Sequence, residues 1–477
     1  MSFPMNPVTQ ASGLRRARTY EPITRIPSVS DEYPVGCSTF LSSIHDARYY
    51  QGILSNTNNF ASGIKCDILH VQDGNVFWKD NLREDQALQY IQESEQQSQT
   101  PVFRVIFCEI DHAPGTSFGC QLSLSKATVL ALLHQYQISP QYLSLLLGEP
   151  DYWAPGNFAS VDPKGTLSRT EFFAQHPRWN IHTSEKPWSV YMTHDLAHEI
   201  TTYVVVSGYQ QASNTRVRER LTDIFRVQLD GSHIKKVHLP DPFELHLIIM
   251  HEALLDAKAV ITAMRGRLYD ALDLVDSYSK QSANQRSRET LENLTLQLHV
   301  VSQDTDSMAA SADMAAMIVR RIAESHERYA RSLKNDEKQD ILMKTTDAMG
   351  YLSASIESQM RWLKSYKSRK DIAMNLVFNL VTQQDAATGT QIAREAKADG
   401  TSVKIIAALT MVFLPGTFLS SVFGMASLDK ASWWLYLAIT IPMTLVVLTV
   451  WWVWLYWSAI GAAGSSLQRN VSNKSVV

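Results

Sequence analysis

The chain has 477 residues, 19% of them charged, and a formal net charge of −3, so it is long enough for two or three domains and carries no global basic field for nucleic acid. Its four cysteines, Cys37, Cys66, Cys108 and Cys120, form no CxxC pair. That excludes a disulfide framework and a zinc knuckle, and suits a reducing compartment.

The N-terminal stretch MSFPMNPVTQASGLRRARTY lacks the apolar core of a signal peptide. Arg15, Arg16 and Arg18 precede the first acid, Glu21, which gives a faint likeness to a mitochondrial transit peptide. A disordered basic tail over residues 1–30 is the plainer reading. From 31 to 242, β-rich runs alternate with helical ones: PVFRVIFCEI (101–110), SKATVLALLHQYQ (125–137), TTYVVVSGY (201–209) and DIFRVQLDG (223–231). Turn-rich stretches separate them, which predicts an α/β or α+β domain. Within it, His194 and His198 stand four residues apart. On a helix they would share one face as a possible metal grip, although Glu199 follows the second histidine and the order is not HExxH. A structural or solvent-exposed pair is the simpler account.

Proline then disappears. Fifteen of the seventeen prolines lie at or before Pro242, and the next is Pro415. Because proline breaks helix interiors, the shift predicts a helical region from 243 to 404. Polar breaks divide it into three helices, about 243–280, 288–333 and 339–425, the last running on into a membrane. At about 1.5 Å per residue that last helix would extend about 130 Å, and Gly389 and Gly400 weaken it, so packing against neighbours must hold it.

Ile405 to Met425 and Trp433 to Trp457 are free of charge and long enough to cross about 30 Å of hydrocarbon. The second carries Trp433, Trp434 and Tyr436 at its start and Trp451, Trp452, Trp454, Tyr456 and Trp457 at its end. This is the distribution of rings at two headgroup layers. Arg394, Lys397 and Lys404 precede the first span and Arg469 and Lys474 follow the second, while the loop between them has only Lys430. The positive-inside rule therefore puts both termini, including the tail 458–477, on the cytosolic (or matrix) side and the loop 426–432 outside.

The first span has a polar line along it: Thr410, Thr417, Ser421 and Gly424 share a helical stripe interrupted by Leu414. Small and hydroxylic residues serve helix packing and pore lining equally well, so spacing leaves both open. In the same span, Pro415-Gly416-Thr417-Phe418, four further residues and Phe423-Gly424-Met425 resemble the P-x-T-F-x4-[YF]-G-M-N signature of CorA-type divalent-cation transporters. The motif-level likeness covers about 390–460, and the remainder agrees in architecture. It is most similar to the fungal branch.

The resemblance implies a homopentamer in a lipid bilayer, with the first spans around a pore. It implies a transported divalent cation, Mg2+ as the usual substrate, in place of any cofactor, and no enzymatic activity. The plasma membrane is the expected site, with the mitochondrial inner membrane or another organelle as alternatives. Gly424, Met425 and Ala426 would form the entrance. Ser421, Thr417, Leu414, Thr410, Ile406, Val403 and Asp399 would line the pore, with Leu414, Ile406 and Val403 as an apolar constriction. Asp385 and Asp399 would be cation sensors by position. The family's Asn is Ala426 here, so the carboxamide ring that could hold a hydrated ion is missing. A non-conducting scaffold of the same fold, a Zn2+/Co2+ transporter of the ZntB kind, and a metal-dependent hydrolase built on His194 and His198 are the rival readings.

Overall fold

The computed structural model describes residues 33, 47–73, 75–93, 100–150, 154–179, 185–229, 239–281, 287–333, 338–423 and 433–472. The expected tail at 1–30 and loop at 426–432 lie outside them. The chain divides into two compact units, Met1–Lys280 with Glu292–Asn375, and Gln281–Leu291 with Leu376–Val477.

The first unit opens with α1 (Ala47–Ser55), β1 (Cys66–Gln72), β2 (Asn75–Leu82), α2 (Glu84–Glu93), β3 (Val102–His112) and β4 (Cys120–Leu122). It continues through α3 (Lys126–Gln135), α4 (Leu143–Leu146), β5 (Gly156–Val161), β6 (Leu167–His176), β7 (Trp188–Asp195), β8 (Ile200–Gly208) and α5 (Ala212–Leu229). The strands form one mixed sheet in the order β2-β1-β3-β8-β7-β6-β5, with β4 against β3. β3 and β8 pair in parallel at its centre and the other pairs are antiparallel. Central strands covered on both faces need continuous apolar runs, which explains VFRVIFCEI and TTYVVVSG.

One face of the sheet gives Ile68, Ile106, Cys108, Val204 and Val206 to a core shared with Leu130, Leu133 and Tyr142 of the α3–α4 region. The other face packs on α5 and on α6 (Glu244–Lys280). Phe103 meets Phe225 at 5.8 Å between ring centroids, and Phe172 meets Phe243 at 6.4 Å. The β-prone stretch at 223–229 is helical because Val217, Leu221 and Phe225 fall one turn apart and are all buried.

Three long helices follow the sheet: α6, α7 (Arg288–Ser332) and α8 (Gln339–Phe423). Their buried positions recur at spacings of three and four: Met264, Leu268, Ala271 and Val275 on α6, Leu294, Leu298 and Val301 on α7, and Met349, Leu352 and Ile356 on α8. Polar contacts fix the register, among them Arg267 to the buried Asp304, Lys367 to Asp306 at 2.7 Å and Arg369 to the Tyr269 hydroxyl at 2.8 Å. The switch in proline content near residue 242 separates strands from helices in kind, yet α6, α7 and the first part of α8 belong to the same compact unit as the sheet.

A polar seam joins the sheet to these helices. Asp241 accepts the Phe243 N–H at the start of α6 and pairs with His326 of α7 at 3.0 Å, both side chains buried. His176 at the end of β6 and His246 of α6 stand 3.1 Å apart, nitrogen to nitrogen, and are fully buried. Burial pushes His176 down to about 3 and His246 well below its ordinary value.

These histidines are neutral when folded, but in the unfolded chain each takes up a proton below about 6.5. The unfolded state therefore binds more protons as the pH falls. Stability is complete above about 6.5 and is lost toward acid at up to about 1.4 kcal/mol per pH unit for each histidine. Thermal melts should fall steadily from pH 7 to pH 5. A flat melting temperature across that interval would mean that the seam is open to water.

Candidate functional site

The second unit contains the membrane-facing chemistry. α8 as far as Val422 and α9 over Trp434–Trp454 are each long and apolar enough to span a bilayer, and their apolar windows are only 11% and 0% buried. A core helix of a soluble fold would be covered, so these surfaces call for an apolar solvent. α9 (Trp433–Ser472) is a single helix that continues past Trp457.

The two helices meet along one seam. On α8, Pro415 and Leu419 are buried and Ala408, Met411, Gly416 and Val422 half-buried. On α9 the half-buried positions include Tyr436, Thr440, Thr444, Val447 and Leu448. The closest approach is at Gly416, whose carbonyl accepts the Tyr436 hydroxyl at 3.0 Å. A Cβ there would lie 3.7 Å from that hydroxyl and 3.8 Å from the Thr440 methyl.

The polar stripe lies elsewhere. Val403, Ile406, Thr410, Leu414, Thr417 and Ser421 are all exposed. At about 100° per residue they centre roughly 140° around the helix from the seam. Packing between the two spans of one chain therefore does not account for the stripe. Its two threonine hydroxyls have spent their protons inward: Thr410 donates to the Ile406 carbonyl at 2.7 Å, and Thr417 to the Leu414 and Phe413 carbonyls at 3.0 and 3.1 Å. A hydroxyl has one proton and two lone pairs, so what remains to face outward is acceptor oxygen. Asp385 and Asp399 are exposed farther up α8. Gly424, Met425 and Ala426 lie outside the described residues.

The histidine pair is not a helical grip. His194 is the penultimate residue of β7 and His198 sits in the turn before β8, because WSVYMTHD and ITTYVVVSG pair as a hairpin. Glu199 closes that turn at φ 53°. His194 is buried, contacts the Thr201 hydroxyl at 2.9 Å and lies edge-on to Tyr329, and burial pushes it down to about 3. His198 is exposed and pairs with Asp195 at 2.9 Å. The turn after Asp195 takes His198 out of the strand, so the two rings have different surroundings. Among the described residues no group of three or more His, Cys, Asp or Glu side chains could hold a metal.

Tyr436, by its place in the sequence an interfacial ring, and Thr440 are the polar residues that α9 brings to α8. Tyr436, Thr440 and Thr444 recur every four residues, a polar line in the second span as regular as the one in the first.

A mixed-sheet domain, long helices and two C-terminal membrane-compatible helices define a class of two-span membrane protein with a large extramembrane part. Residues 238–456 match the family described as CorA-like Mg2+ transporter protein. A curated relative, Notoamide biosynthesis cluster protein M' of Aspergillus versicolor, is 36% identical over 96 residues, 17% of this chain and 20% of that protein. The chain thus spans about a fifth of that relative's length. Among solved structures, the ZntB cytoplasmic domain of Vibrio parahaemolyticus is similar with TM-score 0.40 and 9% identity, covering 67% of this chain and 100% of that one. The full-length CmaX protein gives TM-score 0.36 and 12% identity, over 83% of this chain and 97% of that one. The soluble domain of CorA from Methanocaldococcus jannaschii gives 0.31 and 12%, over 63% of this chain and 95% of that one.

The two histidines should behave differently on truncation. His194→Ala deletes a buried ring and its partner contact and should cost about 2–4 kcal/mol, whereas His198→Ala, at an exposed pair, should cost less than about 1 kcal/mol. Denaturant titration of both variants checks this, and equal losses would contradict the burial described here.

Proposed function

We propose that the chain is one subunit of an oligomeric membrane pathway for divalent cations, with α8 lining it and Mg2+ as the foremost substrate. The observation that carries this reading is the pair of threonine hydroxyls, Thr410 and Thr417, that turn acceptor oxygen outward on the face of α8 away from α9. Such a face attracts a cation, or the outward hydrogens of its water shell, and offers an anion nothing. Thr410, Thr417 and Ser421 would alternate with an apolar constriction at Leu414, Ile406 and Val403, with Asp399 at its inner end and Asp385 beyond as a sensor.

Two helices cannot enclose a pore, so the reading requires several copies. The stretch 385–406 of α8 is exposed on every side and includes Gly389 and Gly400. A bare helix of that composition is marginal in isolation, and neighbouring copies would supply its missing partners. Fivefold assembly, as the resemblance implies, gives one stripe from each chain. Mass measurement in mild detergent should therefore give a pentamer. A stable monomer would remove the pore.

The entrance would be Gly424, Met425 and Ala426, with both termini on the cytosolic side. Ala426 supports a second reading, a scaffold that keeps the fold without conducting, because a methyl group cannot hold the waters of Mg2+. Purified protein in liposomes, tested with Mg2+, Zn2+, Co2+ and Ni2+, separates the two. Ala426→Asn should restore five acceptors at about 1 kcal/mol net each, enough in partial use to raise Mg2+ entry more than about tenfold. No flux from parent or variant, with assembly intact, would favour the scaffold.

A further inference from the structure

We propose that Tyr436 is a positioning residue for the lining helix: its hydroxyl, held on the Gly416 carbonyl, latches α8 at a built-in hinge beside Pro415. The inference rests on the transport reading for its consequence, but not for its geometry.

Pro415 is the sole proline in the 85 residues of α8. It has no N–H, so the Met411 carbonyl loses its partner one turn later, and the pyrrolidine ring presses on that same turn. Gly416 follows immediately and is the residue least restrained in backbone angle. Proline then glycine is the weak point at which a long helix bends. The position matters: Val403, Ile406 and Thr410 lie before the break, and Thr417 and Ser421 after it. Any bend there changes how the two halves of the stripe line up.

At this point the second helix takes hold. Tyr436 lies in the first turns of α9, half-buried, with its hydroxyl 3.0 Å from the Gly416 oxygen. A Cβ at Gly416 would stand in ordinary contact with the phenol at 3.7 Å, so the carbonyl, and not the absent side chain, is what the hydroxyl uses. Thr440, one turn along α9, places its methyl group over the same glycine and donates its own proton to the Tyr436 carbonyl at 2.6 Å. In hydrocarbon no water replaces a lost hydrogen bond, so a donor delivered to the backbone beside a proline break holds that turn as a solvent molecule could not.

Tyr436→Phe removes the hydroxyl and keeps the ring. The cycle of Tyr436→Phe, Pro415→Ala and the double variant, in the full chain in liposomes, isolates the latch. Backbone hydrogen exchange over 411–420 is read beside Mg2+ flux. Tyr436→Phe should speed exchange in that segment and change flux by about threefold or more. In the Pro415→Ala background, where the helix regains its N–H and needs no latch, the same substitution should change neither. Gly416→Ala retains the carbonyl and fits in ordinary contact, so it should keep slow exchange.

If exchange responds as described while no protein carries flux, the latch stands and the transport reading falls. Unchanged exchange in Tyr436→Phe overturns the proposal, whatever the flux does. Equal effects of Tyr436→Phe with and without Pro415 also overturn it, as does failure to assemble in both backgrounds, because the hydroxyl would then serve packing in general.

Discussion

A helix in hydrocarbon must complete its own hydrogen bonds, and the arrangement of the second unit follows from how α8 meets that constraint. Its threonine and serine protons turn back onto the backbone, which leaves oxygen lone pairs on the outward face. Within α8 the backbone gives up a donor at Pro415, and beside that break α9 brings the Tyr436 hydroxyl to the Gly416 carbonyl. One requirement thus sorts the helix into two faces. Small and apolar residues admit the neighbouring helix, and spent hydroxyls point away from it.

In the first unit the corresponding constraint is burial of polar groups. Asp241, His326, His176 and His246 sit where the sheet meets α6 and α7, each nearly or fully enclosed. Asp241 does two tasks at once, capping α6 through the Phe243 N–H and pairing with α7 through His326. An aspartate in that role fixes both the start of one helix and the position of the next. The histidine pair has no such charge partner and remains neutral, the cheapest state for an imidazole away from water.

Much of this was legible in the sequence because it rests on local signals. Proline-free length and polar breaks at 281–287 and 334–338 place α6, α7 and α8 within a residue or two of their observed ends, up to Phe423, where the described part of the span stops. Charge-free length and ring placement mark the two spans in the same way. Only the helical placement of the histidines fails, because a spacing of four looks alike on a helix and across a hairpin turn, and pairing of β7 with β8 is decided by strand composition on both sides. The Asp241–His326 contact joins residues 85 apart, and no periodicity carries that information. In the span, spacing showed that a polar stripe exists but not which way it faces. Only the position of α9 resolved that, through a tyrosine whose sequence context reads simply as an interfacial ring.

The direction of the stripe also narrows the chemistry that Ala426 leaves open. An entrance without carboxamides loses hydrogen bonds to the ion's water, but it does not change the sign of charge that the rest of the path prefers. Below it, acceptor oxygens at Ser421, Thr417 and Thr410 would still favour a cation, and Leu414 between them would limit passage to moments when the constriction is wet. In the transport reading, loss of the asparagine would weaken capture, a property of the mouth, and leave selection for charge in the span largely intact. An ion that sheds its first-shell water more readily than Mg2+ depends less on outer-shell hydrogen bonds at the mouth and could meet the acceptor stripe directly. In the transport reading, the substitution at 426 would thus bear more heavily on which divalent cation passes than on whether the path suits a cation at all.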